Sequence, residues 1–523
     1  MDTERNGKAR GFFARYRLLL WCALTAAAVL AVCSKSSFLY PFNDWVDANC
    51  YFTMGKGMMN GLVPYRDLME QKGVLLYFLH GLCYLVSHTT FIGVYLLEVI
   101  AATAFLYYAA KTAALFVHEY WGYVVAPALA ALTYASAAFA HGDSAEELCL
   151  PLLMVGFYWL MRFFKEREAL TPKAIVLCGV MAGCVLWIKY TMLGFWAGWM
   201  LAVFVGLLLA KRVRGAFAAC GCFLAGVAAA TLPWFVYFAV NGALSDWYHV
   251  YFYLNFTAYP KTHGFAEMLQ SAWTLFYDEL KGVPALWISM IAGALGFVGT
   301  GRLIKGVWPK VAYVLVPALL AAGVYAGGRS YPYYFLILRG MLMLPGLIAI
   351  AYALEAAGRA AAAARTGPPK PRPWAKPAFA VVCTAALALS TALACGSAQY
   401  RDFMKQDGEE LAQFRFADIM NEEESPTLLN YGFLDGGFYT AADILPTVKY
   451  FCKLNLSLPE MTEEQQQVIR NKGVDFVVLR LKGSEREYGS DVPYLLDNYE
   501  LVDTVRQEFE GIRFTYCLFR VKG

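Results

Sequence analysis

Runs of about twenty apolar residues, the length that crosses a hydrocarbon core, recur from about residue 18 to about residue 395 of this 523-residue chain. No soluble architecture calls for that repetition. Composition agrees: 59% of residues are hydrophobic and 16% charged, where a soluble domain carries roughly a quarter charged residues. The expected fold is a polytopic α-helical membrane protein with a small C-terminal α/β domain. The net charge of +4 is small, no nucleic-acid partner is expected, and the lipid bilayer is the first partner.

Loops rich in Lys and Arg mark the cytoplasmic side of a span. The basic opening run MDTERNGKARGFFARYR resembles the start of a signal peptide, but no small-residue cleavage site follows, so an uncleaved first span is expected. With Arg5, Lys8, Arg10, Arg15 and Arg17 inside, that span runs outward at about 18–34. Further spans are expected at about 91–111, 123–140, 148–164, 174–188, 191–210, 216–240, 283–300, 311–326, 335–355 and 377–395. Basic loops such as Arg162 to Lys173 and Lys211 to Arg214 then fall inside, and acidic loops outside. The apolar piece Val74 to Val86 is short and has no basic flank, so it reads as an interfacial or re-entrant helix on the outer face. Counting it as a span would invert the pattern for most of the chain. About eleven spans follow, with a cytoplasmic N-terminus and an extracytoplasmic C-terminal domain, in the cell membrane.

The domains divide as 1–395, transmembrane, and 396–523, soluble, after the Pro-rich linker PPKPRPWAKP. In the soluble part, Thr427 to Tyr431 and Val474 to Leu479 read as strands, and Leu501 to Phe509 and Phe514 to Val521 flank Glu510-Gly511 as a hairpin. Thr462-Glu-Glu-Gln465 is a capping box expected to open a helix over 463–471. Thirteen cysteines are scattered without a CxxC pair. Cys452 and Cys517 can pair in the C-terminal domain, with free buried thiols the alternative.

Charge beside a bilayer is costly unless something uses it. The stretch Phe42 to Leu79 holds Asp44, Asp47, Arg66, Asp67, Glu70 and Lys72; a second outer loop supplies His141, Asp143, Glu146 and Glu147; the loops after two later spans add Lys189 and Arg329. Tyr51, Met54, Met58 and Leu62 fall at near-helical spacing after Asp47, which suggests an interfacial helix with the carboxylate at its N-terminus. Carboxylates facing cations suit a reaction at an anionic headgroup: a carboxylate takes a proton, and Lys or Arg stabilises a leaving phosphate. Two or three of the acids can instead hold a divalent metal ion, its identity open. The plain reading is that these are solvated loop charges. Aromatic residues crowd Trp247 to Tyr259, as rings do at membrane interfaces, and the Gly- and Ala-rich run Gly215 to Ala230 suits close helix packing.

Asp47-Ala-Asn-Cys-Tyr51, Gly61-Leu-Val-Pro-Tyr-Arg-Asp67 and Lys72-Gly-Val-Leu-Leu-Tyr77 together resemble the first-loop signature of the membrane-embedded C-type glycosyltransferases. The similarity is greatest to the branch of protein O-mannosyltransferases, aminoarabinose transferases and bacterial cell-surface homologues. The resemblance implies a polyprenyl-phosphate sugar as donor, Asp47 as catalytic base and Lys72 near the donor phosphate. Glu146 and Glu147 stand where the family's second acidic motif falls, and Gly328 to Tyr334 resembles a late outer-loop motif. Two positions depart: Lys72 is followed by Gly73-Val74 without the usual proline, and Tyr333 stands where His is common.

The expected activity is an inverting glycosyltransferase moving a sugar from a polyprenyl-phosphate donor to a cell-surface glycan, lipid or protein. Asp47 is the base, Lys72, Arg329 and Lys189 bind phosphate, and Asp143, Glu146 and Glu147 bind a metal or orient the cell-envelope acceptor. The alternative is a transporter or flippase for a lipid-linked intermediate, which would carry ionisable residues inside discontinuous spans.

Overall fold

A computed structural model describes residues 2–166, 170–261, 264–363, 375–482 and 489–523. Most of the Pro-rich linker, 368–374, and the basic Arg167 lie outside the described residues. The chain forms two compact units that each take several pieces of sequence: residues 1–34, 98–231 and 262–399 in the first, and 35–97, 232–261 and 400–523 in the second. The division at 395/396 runs along the sequence, whereas these units cut across it.

By length and composition, eight helices among the described residues can cross a membrane, or nine if the bent pair Phe265–Lys281 and Pro284–Gly299 is one span. The third expected span contains only the 13-residue helix Gly122–Tyr134, short of the roughly 20 residues a span needs. The fifth and sixth form one apolar run, Pro172–Leu209, yet Lys189 adopts an extended backbone (φ −157°, ψ 100°) that separates the Pro172–Lys189 helix from Leu193–Leu209. Val74–Tyr84 is an 11-residue helix of about 16 Å at 1.5 Å per residue, too short to span. The stretch between the expected spans at about 216–240 and 283–300 is mostly helical, over residues 244–257 and Phe265–Lys281.

Within the first unit, Val307–Tyr325 packs on Leu193–Leu209, Ala145–Glu166 on Pro172–Lys189, and Ala375–Ser397 on Gly122–Tyr134. Small residues permit this closeness: a Cβ on Gly226 would stand 2.8 Å from the Gly179 Cα on the neighbouring helix. The same unit has a partly open apolar cavity of about 530 Å³ lined by Phe157, Phe195, Trp273, Phe276, Tyr313 and Met341 among others.

In the second unit a four-stranded sheet comprises β1 (Leu428–Tyr431), β2 (Phe476–Lys482), β3 (Tyr499–Phe509) and β4 (Ile512–Val521), in the order β1-β2-β4-β3. β1 and β2 are parallel; β4 is antiparallel to both neighbours. Glu510 (φ 51°) and Gly511 (φ 75°) supply the two left-handed residues that a tight hairpin needs. The helix after β1 starts at Pro459 and not at Glu463, because proline suits the first helical turn; Thr462 lies inside it. Cys517 is buried in the sheet core with Leu479 and Phe519, and the thiol facing Cys452 is that of Cys50. Of the two alternatives for Cys452 and Cys517, free buried thiols are found and the pairing is not.

The Val46–Met59 helix forms as its spacing predicts, and residues 48–57 are all buried within the protein. It packs against Val74–Tyr84, where a Cβ on Gly55 would stand 2.6 Å from the Tyr77 carbonyl oxygen. Its other partner is the C-terminal domain, through Thr53 Oγ1 donating to Asp435 (2.6 Å) and Lys56 Nζ paired with Asp443 (2.8 Å).

Candidate active site

In the second unit Asp47 sits in the first turn of the Val46–Met59 helix, where a carboxylate is favoured by the exposed N–H groups. One helical turn on, Tyr51 donates its hydroxyl to Asp47 Oδ2 at 3.3 Å. The Tyr51 ring also lies under the Lys72 ammonium, 5.6 Å from ring centre to Nζ, a cation–π contact. The expected base and phosphate anchor therefore meet on one aromatic ring. Helical spacing and the Asp47-Ala-Asn-Cys-Tyr51 motif both include Tyr51 but assign its hydroxyl no role; a hydroxyl one turn after an acid was the available signal.

Lys72 is positioned by Glu70. Glu70 Oε2 accepts from the Lys72 backbone N–H at 2.7 Å and from the Tyr77 hydroxyl, and Glu70 Oε1 stands 3.8 Å from Lys72 Nζ. Asn255 reaches in from the aromatic segment and donates to the Gln71 carbonyl at 2.8 Å, so that segment packs on the first loop. The remaining loop charges are structural. Asp44 pairs with Lys35 at 2.5 Å, both buried, with the ammonium 3.8 Å from the Tyr400 ring centre. Asp67 accepts from the Val63 N–H at 2.7 Å and from Arg66, whose guanidinium holds that carboxyl below the usual carboxylate range.

In the first unit, Glu146 and Glu147 open the Ala145–Glu166 helix, both buried. Their surroundings differ. Glu146 forms an ion pair with Lys189, whose ammonium lies 3.9 Å above the Tyr334 ring centre and 5.4 Å from that of Tyr333. Glu146 Oε2 has no hydrogen-bond partner among the described residues. Glu147 Oε2 and Glu98 Oε1 instead converge on the Asp143 N–H, at 2.9 and 2.8 Å. Ser34 donates to both oxygens of Glu98, at 2.9 and 2.7 Å. This arrangement needs a left-handed turn: Gly142 (φ 80°) and Asp143 (φ 60°) provide it, and a Cβ on Gly142 would stand 2.6 Å from Glu98 Oε1. Arg329 Nη1 lies 3.4 Å from the Tyr331 hydroxyl.

Glu98 was missed in sequence because it lies inside an apolar helix, Ile92–Ala114, far from any charge cluster. An acid at such a position was itself the signal. The metal expectation meets an unfavourable donor set: among the described residues no three His, Cys, Asp or Glu side chains converge as a metal cage. Glu146 is matched to a lysine, and Glu98 and Glu147 share one backbone donor.

No family model matches the chain, and no curated protein matches it by sequence. Solved structures do share its fold. It is similar to ArnT from Cupriavidus metallidurans bound to undecaprenyl phosphate, with a TM-score of 0.55 and 12% identity over 95% of this chain and 98% of that one. It is also similar to the arabinofuranosyltransferase AftD from Mycobacteria, with a TM-score of 0.50 and 16% identity over 97% of this chain but 42% of that longer one. The likeness is one of fold: apolar helices long enough to cross a membrane, with a small C-terminal sheet.

Proposed function

We propose that this chain is an inverting glycosyltransferase that transfers a sugar from a polyprenyl-phosphate donor to a hydroxyl of a cell-envelope glycan, lipid or protein on the extracytoplasmic face. The observation that carries the reading is the Asp47–Tyr51–Lys72 arrangement within a fold shared along nearly the whole length of ArnT. The apolar lining of the cavity of about 530 Å³ in the first unit is consistent with a donor that carries an isoprenoid chain, itself an apolar ligand.

The chemistry is a single displacement. The acceptor oxygen attacks the anomeric carbon, its proton passes to the Asp47 carboxylate, and the bond from that carbon to the phosphate oxygen breaks with inversion. Tyr51 orients Asp47 by its hydrogen bond. Lys72, fixed at its backbone by Glu70, neutralises the departing phosphate, a use of preorganised charge.

The test is turnover of labelled polyprenyl-phosphate sugar by the purified full chain with cell-envelope acceptors. The proposal expects polyprenyl phosphate released in step with glycosylated acceptor. Movement of intact donor between vesicle leaflets without sugar transfer would establish the transporter reading instead.

A further inference from the structure

Cys50 lies one turn after Asp47 on the Val46–Met59 helix, and its sulfur stands 3.8 Å from that of Cys452 in the C-terminal domain, 402 residues away. Both side chains are buried, at 2% and 1% exposure. The approach is not accidental to one side chain, because the helix is fastened to the same domain along one face. Thr53 Oγ1 donates to Asp435 at 2.6 Å, and Lys56 Nζ reaches Asp443 (2.8 Å) and the carbonyls of Tyr439 (2.9 Å) and Ile444 (3.3 Å). The segment bearing Cys452 is pinned in turn, since the Phe451 carbonyl accepts from the Tyr439 hydroxyl at 3.1 Å and the Asn430 N–H at 3.3 Å. Closing the sulfurs to a bond of about 2.05 Å needs about 1.8 Å of movement shared between two side chains.

We propose that Cys50 and Cys452 form a disulfide that ties the helix carrying Asp47 to the C-terminal domain. The bond rests on the reading that this unit faces away from the cytoplasm, where disulfides form and persist. Burial raises both thiols above the ordinary cysteine range, so neither is a standing nucleophile in the folded chain, and the bond is a structural one. It forms as the helix docks, by exchange with the disulfide of a thiol–disulfide oxidoreductase. The Cys50 thiolate attacks that disulfide and releases one thiol; the Cys452 thiolate then attacks the Cys50 sulfur and releases the second. Two S–H bonds are lost, one S–S bond is gained, and two electrons pass to the oxidoreductase disulfide. The consequence for catalysis is positional: the C-terminal domain becomes a covalent brace for Asp47.

The experiment takes the full chain from intact cells quenched in acid, alkylates it under denaturing conditions without reductant, and maps the peptides. The expected result is one joined pair holding Cys50 and Cys452 in most molecules, lost in C50S and in C452S, with reduction lowering the melting midpoint of the wild type but not of the double variant. In parallel, Q467C in a C395S background reports sidedness, since Gln467 and Cys395 are exposed, through its reaction with a membrane-impermeant maleimide on intact cells. Labelling from outside together with both native thiols alkylated in the wild type overturns the tether and leaves the transferase reading standing. Labelling only after permeabilisation overturns the outward-facing reading and the tether with it.

Discussion

Each unit sets a lysine beside a glutamate and an aromatic ring, and the two are built differently. Lys189 is joined to Glu146 in a buried ion pair and capped by Tyr334 at 3.9 Å. Lys72 keeps its ammonium 3.8 Å from Glu70 and 5.6 Å from the Tyr51 ring centre, while Glu70 spends one oxygen on the Lys72 backbone and Tyr77. In the first case the cation is consumed by its partner. In the second the glutamate holds the lysine at two points, its backbone N–H and, at longer range, its ammonium. The lesson is that a lysine near a carboxylate is a structural element or a ligand group according to which atoms the carboxylate engages.

The comparison breaks if the two lysines respond alike. K189M leaves the Glu146 charge buried without its partner and should destabilise the detergent-purified chain by about 3–5 kcal/mol. E146Q/K189M together should recover most of that loss, read as the melting midpoint. A single variant no more costly than the double would show that the pair is not closed.

The second unit has its own buried acid. Burial raises Asp435 to about 6 from 3.8, against the opposing Thr53 and Gly437 hydrogen bonds and the charge of Lys56. A raised carboxyl pKa means that the folded state binds the proton more tightly than the unfolded one. Stability therefore falls as pH rises from about 4 to about 6, by at most about 3 kcal/mol. D435N should flatten that slope in a melting series over the same window; an unchanged slope would place the titration elsewhere.

K72M should leave the melting midpoint nearly unchanged and raise KM for the lipid-linked donor by about ten- to hundredfold, the loss of one charge-assisted contact of about 1.5–3 kcal/mol. A large fall in melting midpoint would move Lys72 into the class of Lys189. Y51F keeps the ring and removes the hydroxyl that orients Asp47, so kcat should fall about two- to tenfold, for about 0.5–1.5 kcal/mol, with donor KM little altered.

Much of the membrane architecture was legible because a span must be long and apolar, which hydropathy reads directly. The hairpin at Glu510-Gly511 and the helix opening at Asp47 were legible for similarly local reasons. What stayed hidden was long-range. Burial of the Val46–Met59 helix depends on Gly55 meeting Val74–Tyr84 and on Asp435 and Asp443, nearly four hundred residues on. The same distance hid Cys452 as the neighbour of Cys50. Glu98 stayed hidden because a single acid barely lowers the hydropathy of a 23-residue helix. Glu146 and Glu147 could not be told apart in sequence because adjacent residues on a helix face different neighbours, and only the fold names those neighbours.

The central claim is that Asp47 takes the acceptor proton, and single-turnover sugar transfer from labelled polyprenyl-phosphate donor by D47N tests it most directly. Loss of a general base predicts a rate lower by about 10²- to 10⁴-fold, with donor binding and melting midpoint close to wild type. Transfer at an undiminished rate by a folded, donor-binding D47N would contradict it.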